Sequence, residues 1–304
     1  MRVAITGASG LIGRALTTAL HERGDEVVEL VRPSSTGRSN PTVEWDIEAG
    51  TIDAAGLEGI DAVVHLAGEG IGERKWNPAQ KARILESRTK GTQLLANALA
   101  GLAAKPKVFL SGSAMGYYGD CGDTPTDESA TAGDDFLADV CVQWEAAAQP
   151  AVDAGIRTAF LRTGIVLDAG GGALGEQLPF AKLGLGGPIG GGEQWWSWIS
   201  QTDQIAAILF LLDHDVAGPV NLTAPNPVQQ GAFAKTLGAV LHRPAFLPTP
   251  KPAIYLKLGK ELAHALLFTS ARVLPTVLTD AGFTFTHSTL EPALRDILGK
   301  PDHE

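Results

Sequence analysis

Apolar residues over the first two thirds of the chain fall in short runs separated by stretches of helical length. The runs 2–6, 26–32, 42–45, 62–67, 107–111 and 157–162 are strand-like. Between the first two, Ile12, Leu16, Ala19 and Leu20 share one side of a helix, and Gly24 is placed as its C-terminal stop. Asn77-Pro78 is a cap and first-turn proline for a second helix carrying Ile84, Leu94, Leu95 and Leu99. Strands alternating with helices predict βαβ units, hence an α/β fold with a parallel sheet.

From Asp168 the texture changes. Gly170-Gly171-Gly172 and the run 184–192 are glycine-rich, and Trp195, Trp196 and Trp198 follow. Linkers are usually polar, so the apolar and aromatic flanks mark 168–200 as the wall of a pocket in a smaller substrate lobe. The proline-containing stretch 243–252 bounds a main domain at 1–242 from a short C-terminal helical unit at 250–299. The apolar stretch 253–268 is interrupted by Lys257, Lys260, Glu261 and His264, too short and too charged to span a bilayer. It reads as an amphipathic helix packed on the core.

Composition narrows the function classes. The 304 residues carry a formal charge of −10 with no clustered Lys and Arg, which argues against nucleic acid. Cys121 and Cys141 make no metal-ligand spacing and no disulfide framework, so no metal is expected. The chain enters an apolar strand at Val3 without a charged leader, which points to a cytoplasmic protein with no membrane association.

The most informative motif is Thr6-Gly7-Ala8-Ser9-Gly10-Leu11-Ile12-Gly13, set between a strand and a helix. Gly7 and Gly10 permit a tight turn and close approach of a pyrophosphate to backbone N–H groups around Ser9, Leu11 and Ile12, and Gly13 lets helix and strand pack closely. That context makes the fold a Rossmann-type, doubly wound parallel sheet holding a dinucleotide. An acid at the end of the second strand would mark NAD by bonding the ribose 2′-OH; here the strand ends in Val31-Arg32. Arg32 can pair with a 2′-phosphate, so NADP(H) is preferred over NAD(H). The alternative is a solvated Arg32 with Glu29 reaching the ribose.

At these residues the chain resembles the extended short-chain dehydrogenase/reductases, and more narrowly their atypical, epimerase-like branch, called family thirty-nine U in its animal form. The resemblance rests on Thr6 to Gly13, Leu66-Ala67-Gly68-Glu69, Ser87-Arg88, Ser111-Gly112-Ser113-Ala114, Gly116-Tyr117-Tyr118-Gly119, Trp144-Glu145, Arg162-Thr163-Gly164, the run 183–199, and the tail Arg272, Pro275, Leu278 and Gly282-Phe283. It implies that Asp46 accepts from the adenine amino group. It also implies that Ala67, Gly68 and Glu69 line the ribose and pyrophosphate, that Arg74 contacts the phosphates, and that Arg162 lies at the cofactor. Glu69 and Arg74 could instead form a loop ion pair. Ser111, Thr163, Gly164 and Trp198 are implied on the substrate side. By the same analogy the chain is a monomer or a homodimer through 77–102 and 135–153, with a small molecule as its partner.

One part of that chemistry is missing. Dehydrogenases of this superfamily place Ser or Thr after the fifth strand and a Tyr-x-x-x-Lys pair on the next helix, where the lysine eases proton exchange by the phenol. Ser113 fills the first role, but the helix reads Phe136-Leu137-Ala138-Asp139-Val140-Cys141. Three readings follow. The chain is an NADP-dependent oxidoreductase or epimerase, on a nucleotide sugar or small carbonyl or hydroxyl substrate, with Tyr117 or Tyr118 as acid/base beside Ser113. Alternatively it is a catalytically silent NADP(H)-binding regulator or sensor, or it is purely structural. Asp203 is expected to cap a helix rather than to catalyse.

Overall fold

The computed structural model describes residues 1–300. Its central sheet holds eight strands: β1 (Arg2–Thr6), β2 (Glu26–Val31), β3 (Thr42–Asp46), β4 (Thr51–Ile52), β5 (Ala62–His65), β6 (Val108–Ala114), β8 (Arg157–Thr163) and β12 (Gly218–Leu222). They lie in the order β12-β8-β6-β5-β1-β2-β3-β4, parallel throughout except for β4. The chain moves outward from β1 through β2 to β3, then returns to β5 and continues the other way. The order therefore switches between β1 and β5, where open α/β sheets leave a crevice at the strand C-termini.

Side chains alternate across the sheet, and both faces are covered. Val3 and Ile5 meet Leu16 and Leu20 of α1 (Leu11–Glu22) and Ile208 and Leu211 of α6 (Gln201–Asp213). Ala4, Val28 and Phe109 face Leu95 and Leu99 of α2 (Pro78–Gly101), with Ala151 of α4 (Gln149–Asp153). Helix α3 (Phe136–Ala146) packs beside α2 and β6. Asn77 caps α2, its side chain accepting from the N–H of Gln80 at 2.8 Å, with Pro78 in the first turn.

The second lobe is built from β9 (Ile165–Leu167), α5 (Gly172–Lys182), β10 (Trp195–Trp196), β11 (Trp198–Ser200), β13 (Val228–Gln229), α7 (Gln230–Leu241) and α11 (Leu290–Ile297). Its core centres on Trp196, Trp198 and Phe233. Strands β7 (Pro125–Thr126) and β14 (Arg272–Val273) pair in parallel against it, and α10 (Thr276–Asp280) follows.

Two expectations are corrected. The stretch 253–268 is not one helix: α8 (Lys251–Leu258) ends at Gly259, whose φ of +84° stops the helix, and α9 (Lys260–Ala263) and a π-turn (His264–Phe268) follow. Leu256 of α8 is exposed rather than packed on the core. The cap of α6 is Ser200, whose Oγ accepts from the N–H of Asp203 at 3.1 Å. Asp203 sits one turn inside, and its carboxylate accepts from the N–H groups of Thr286 (2.8 Å) and His287 (2.9 Å), tying the C-terminal segment to α6.

A buried chain of side chains fixes the crevice floor. The Thr6 hydroxyl accepts from the N–H groups of Leu66 (3.0 Å) and Ala67 (3.1 Å), so its own proton goes to His65 Nδ1 at 2.7 Å. His65 Nε2 then carries the ring proton and donates to Thr92 Oγ1 at 2.9 Å. Burial, with the nearby Arg88 charge, lowers the His65 pKa from 6.5 to about 3. Between those values the unfolded chain binds a proton that the native ring refuses. Stability is thus fully present above 6.5 and falls as pH drops toward about 3. In urea unfolding from pH 7 to pH 4, the wild type should lose stability relative to His65→Asn; parallel curves would contradict this account.

Candidate functional site

The glycine loop leaves β1 at Thr6 and turns into α1. Gly7 has a φ of +70°, and a Cβ there would lie 2.9 Å from the carbonyl carbon of Leu66. A Cβ on Gly13 would lie 2.2 Å from the Gly7 oxygen and 2.7 Å from Ala8 Cα, so only glycine allows α1 to pack this close. The α1 cap is Gly10, with no side chain to take the first-turn N–H groups, and no acid occupies that turn. These donors, with Ser9 and Gly10 exposed, form a concave amide cradle suited to an anion. Leu11 touches the second lobe, since a Cβ on Gly171 would be 3.2 Å from Leu11 Cδ1, while Ile12 packs on the core. Gly13→Ala should cost about 3 kcal/mol, as overpacking a rigid backbone contact does. A thermal midpoint within a degree of wild type would refute it.

On the β2 side, Arg32 is exposed and its side chain has no partner among the described residues. Glu29 is 6% exposed and takes Arg38 Nη1 at 2.9 Å and Asn40 Nδ2 at 2.8 Å. The carboxylate considered as an alternative ribose ligand is therefore spent within the protein. Asp46, at the end of β3, accepts from the N–H groups of Glu48 and Ala49 through Oδ1 alone.

Ala67, Gly68 and Glu69 follow β5 directly, at the switch in strand order. Glu69 accepts from Gln80 Nε2 at 3.2 Å and lies 3.9 Å from Arg83, so the alternative of a Glu69–Arg74 ion pair does not form. Arg74 is exposed, with no partner among the described residues. The loop is held from α2: Ser87 Oγ accepts from the N–H of Glu69, and Arg88 Nη1 donates to the carbonyls of Glu69 (3.0 Å) and Ile84 (3.1 Å). The Arg88 guanidinium lies over Trp144 at 4.9 Å with no carboxylate within ion-pair distance among the described residues, and a Cβ on Gly68 would be 3.2 Å from its Cζ. Burial lowers its pKa.

Beyond β6 the polar groups join in one network. Ser113 donates to Glu145 Oε1 at 2.7 Å, and Arg162 grips both carboxylate oxygens, Nε to Oε1 at 2.8 Å and Nη2 to Oε2 at 2.9 Å. Arg162 Nη1 donates to the Tyr118 hydroxyl at 3.0 Å, which donates to Asn221 Oδ1 at 2.7 Å. Burial alone would lower the Arg162 pKa, but Glu145 and Tyr118 more than reverse it. Burial raises Tyr118 to about 12 despite Arg162. Tyr117 is half-buried, its ring 3.4 Å from the Arg162 guanidinium, and its hydroxyl has no partner among the described residues. A Cβ on Gly116 would touch Leu137 and Cys141, so these two share the α3 face beneath the Tyr117 loop. Burial, then Glu145, pushes the Cys141 thiol up to about 12, leaving it protonated.

Several expectations change accordingly. Arg162 spends its three nitrogens on Glu145 and Tyr118 and is 3% exposed, so it braces the site rather than reaching a cofactor. Tyr118 is locked in the same network and has no free proton for a ligand. Trp198 is fully buried, its indole N–H donating to the Asn226 carbonyl, so it is core and not a substrate wall. Ser111 is fully buried with its hydroxyl unpartnered. Thr163 and Gly164 lie at the end of β8, and a Cβ on Gly164 would strike the Ser197 oxygen at 2.7 Å. Sequence reasoning gave Glu145 no role in the site although Trp144-Glu145 carries part of the resemblance, and it missed Asn221, which has no spacing signal; both act through partners distant in sequence.

A doubly wound sheet with an amide cradle at its switch point and a polar cluster after β6 defines a Rossmann-type dinucleotide-binding protein of the short-chain dehydrogenase/reductase class. Residues 3–138 match the NAD dependent epimerase/dehydratase family, and 249–297 match a domain of unknown function, DUF1731. Epimerase family protein Mb2239 of Mycobacterium bovis is 40% identical over 293 residues, covering 96% of each chain. The crystal structure of human epimerase family protein SDR39U1 with NADPH superposes with a TM-score of 0.90 at 36% identity, covering 98% of this chain and 99% of that one. A nucleoside-diphosphate sugar epimerase from Corynebacterium glutamicum gives 0.79 at 37% identity, over 98% of this chain and 58% of its own length. The chain belongs to the epimerase family that includes SDR39U1. No helix among the described residues is long and apolar enough to cross a membrane.

Proposed function

We propose that this chain is an NADP(H)-dependent oxidoreductase or epimerase, acting on a nucleotide sugar or a small carbonyl or hydroxyl substrate, with Tyr117 as its proton carrier. The uncommitted hydroxyl of Tyr117, on the loop that follows Ser113, carries the reading. The amide cradle at the start of α1, capped by no side chain, fits a pyrophosphate, and the human relative was crystallised with NADPH. When bound, the cofactor supplies or accepts a hydride.

The chain's own residues do the rest. Backbone N–H groups of Ser9, Leu11, Ile12 and Gly13 take the pyrophosphate, that of Gly10 being given to the Gly7 carbonyl. Arg32 pairs with the 2′-phosphate, a role supported by its exposure and by the engagement of Glu29 elsewhere. Asp46 keeps Oδ2 for the adenine amino group; Ala67, Gly68 and Glu69 line the ribose side, with Arg74 free to reach the phosphates. Arg88 offers Nε and Nη2 to cofactor oxygens from beneath Gly68. Ser113 donates its hydrogen bond to Glu145 and so presents its lone pairs to the cleft, where they accept from a substrate hydroxyl and orient it. Ser111 on β6, Thr163 at the end of β8 and Gly164 after it are the remaining residues assigned to the substrate side.

Tyr117→Phe should lower substrate-dependent NADPH oxidation by about 100-fold or more, as loss of a general acid does, with NADPH affinity unchanged. Equal turnover in the variant would remove Tyr117 from the chemistry. Arg32→Glu should weaken NADPH binding by about 10- to 100-fold while sparing NADH, the loss of a charge-assisted contact; an equal effect on both cofactors would contradict the assignment. A second reading, a catalytically silent NADP(H)-binding regulator, is favoured by Leu137 and Cys141 sharing the α3 face without phenol or amine. Tight NADPH binding with no turnover across a broad carbonyl and nucleotide-sugar panel would select it.

A further inference from the structure

Trp195 and Arg272 have no part in the site as described. Strand β10 is tied to the residues that lead into β14: the N–H of Ala271 donates to the Trp195 carbonyl at 3.2 Å, and the N–H of Trp195 donates to Ser270 Oγ at 3.1 Å. Trp196 enters the lobe core beside Phe233, so strand alternation turns Trp195 away from it. Trp195 lies against the loop after Tyr118, its indole N–H donating to Asp123 Oδ1 at 2.6 Å. Ala271 and Val273 pack on Tyr118, with Tyr117 against the same cluster. Arg272 between them takes the opposite face, its guanidinium carbon 4.6 Å from the Trp195 ring centroid.

Arg272 lacks what Arg162 has. Arg162 is neutralised by a bidentate carboxylate, whereas no carboxylate oxygen among the described residues lies within ion-pair distance of Arg272. Its Nε is buried with no hydrogen-bond partner, and Asp123, on the same aromatic ring, points an oxygen at the indole instead. Arg272 is half-buried, and a guanidinium whose Nε is withdrawn from water without a counter-charge or acceptor is costly; an oxyanion in its fork removes that cost. The tryptophan face fixes the guanidinium plane and seats the cation.

We infer that Arg272, seated on Trp195, binds an anionic group of the substrate, a phosphate or a carboxylate, in a subsite beside the loop that follows Tyr118. The inference rests on reading the cleft as a cofactor and substrate site, and it gives the C-terminal segment a recognition role in place of a purely structural one.

Calorimetric titration of the full chain, free and saturated with NADPH, tests it with inorganic pyrophosphate, inorganic phosphate and succinate as probes. Saturation with NADPH occupies the glycine loop, so a remaining anion site is a separate one. The expected result is one saturable site in the loaded protein, weakened at least about 10-fold in Arg272→Met and less in Arg272→Lys, the loss expected for one charged contact. NADPH affinity should stay unchanged in both variants. Preference for the phosphates or for succinate identifies the anion class. The inference is overturned if no probe saturates a site in the loaded wild type, or if the Arg272→Met protein binds as tightly. Should Arg272→Met fail to fold, the comparison of Arg272→Lys with Trp195→Leu carries the same decision, both weakening the site. If NADPH itself fails to bind, the proposed function falls, while Arg272-dependent anion binding by the free chain still decides the inference.

Discussion

The buried ion pair between Glu145 and Arg162 is the interaction on which the rest of the site depends. Two charges out of water are tolerable only when their remaining donors and acceptors are met, and breaking such a pair leaves an uncompensated charge worth about 3–5 kcal/mol. Here the requirement is met by Ser113 on one side and Tyr118 on the other. The pair thereby joins α3 to β8 and, through Ser113, to the end of β6. It also fixes the direction of the Ser113 hydroxyl, and so the kind of ligand atom that residue can meet.

From Tyr118 the network passes into the second lobe. Asn221 takes the phenol proton and donates through Nδ2 to the Leu274 carbonyl, while its backbone N–H goes to the buried carboxylate of Glu128. Glu128 Oε1 also accepts from the N–H of Val277, and burial raises its pKa. Ser197 Oγ donates to the Ala271 carbonyl and accepts from the N–H of Val273. The segment that carries Arg272 is thus positioned by the same hydrogen bonds that hold the base of the cleft. The two lobes meet through these polar contacts and through apolar packing as well, since Ile199 of β11 and Leu278 of α10 join the same buried cluster as Ile5 and Leu161.

The α3 face explains how this family member departs from the superfamily's usual proton chemistry. Leu137 and Cys141 pack beneath Gly116, and burial keeps the thiol protonated. Neither can exchange a proton with a ligand near neutral pH. A positive charge near the cleft is instead provided from α2 by Arg88, braced on backbone carbonyls and the Trp144 face. The available phenol comes from the loop after β6, as Tyr117, beside a locked twin.

The sequence by itself determined the doubly wound parallel sheet and the glycine cradle, because these follow from local rules: short apolar runs alternating with helical stretches, glycine where a Cβ cannot fit, and capping at Asn77. All six strand-like runs became strands of the sheet, and Gly7 and Gly13 occupy positions no other residue can. What it could not determine was which of two adjacent, chemically identical side chains is free. Tyr117 and Tyr118 differ only in whether Arg162 and Asn221 reach the hydroxyl, and those partners come from 44 and 103 residues away. Trp198 looked like a pocket wall and is core, while Trp195, three residues earlier, faces Arg272. Burial and pairing are set by non-local contacts, and the tertiary structure alone decided them.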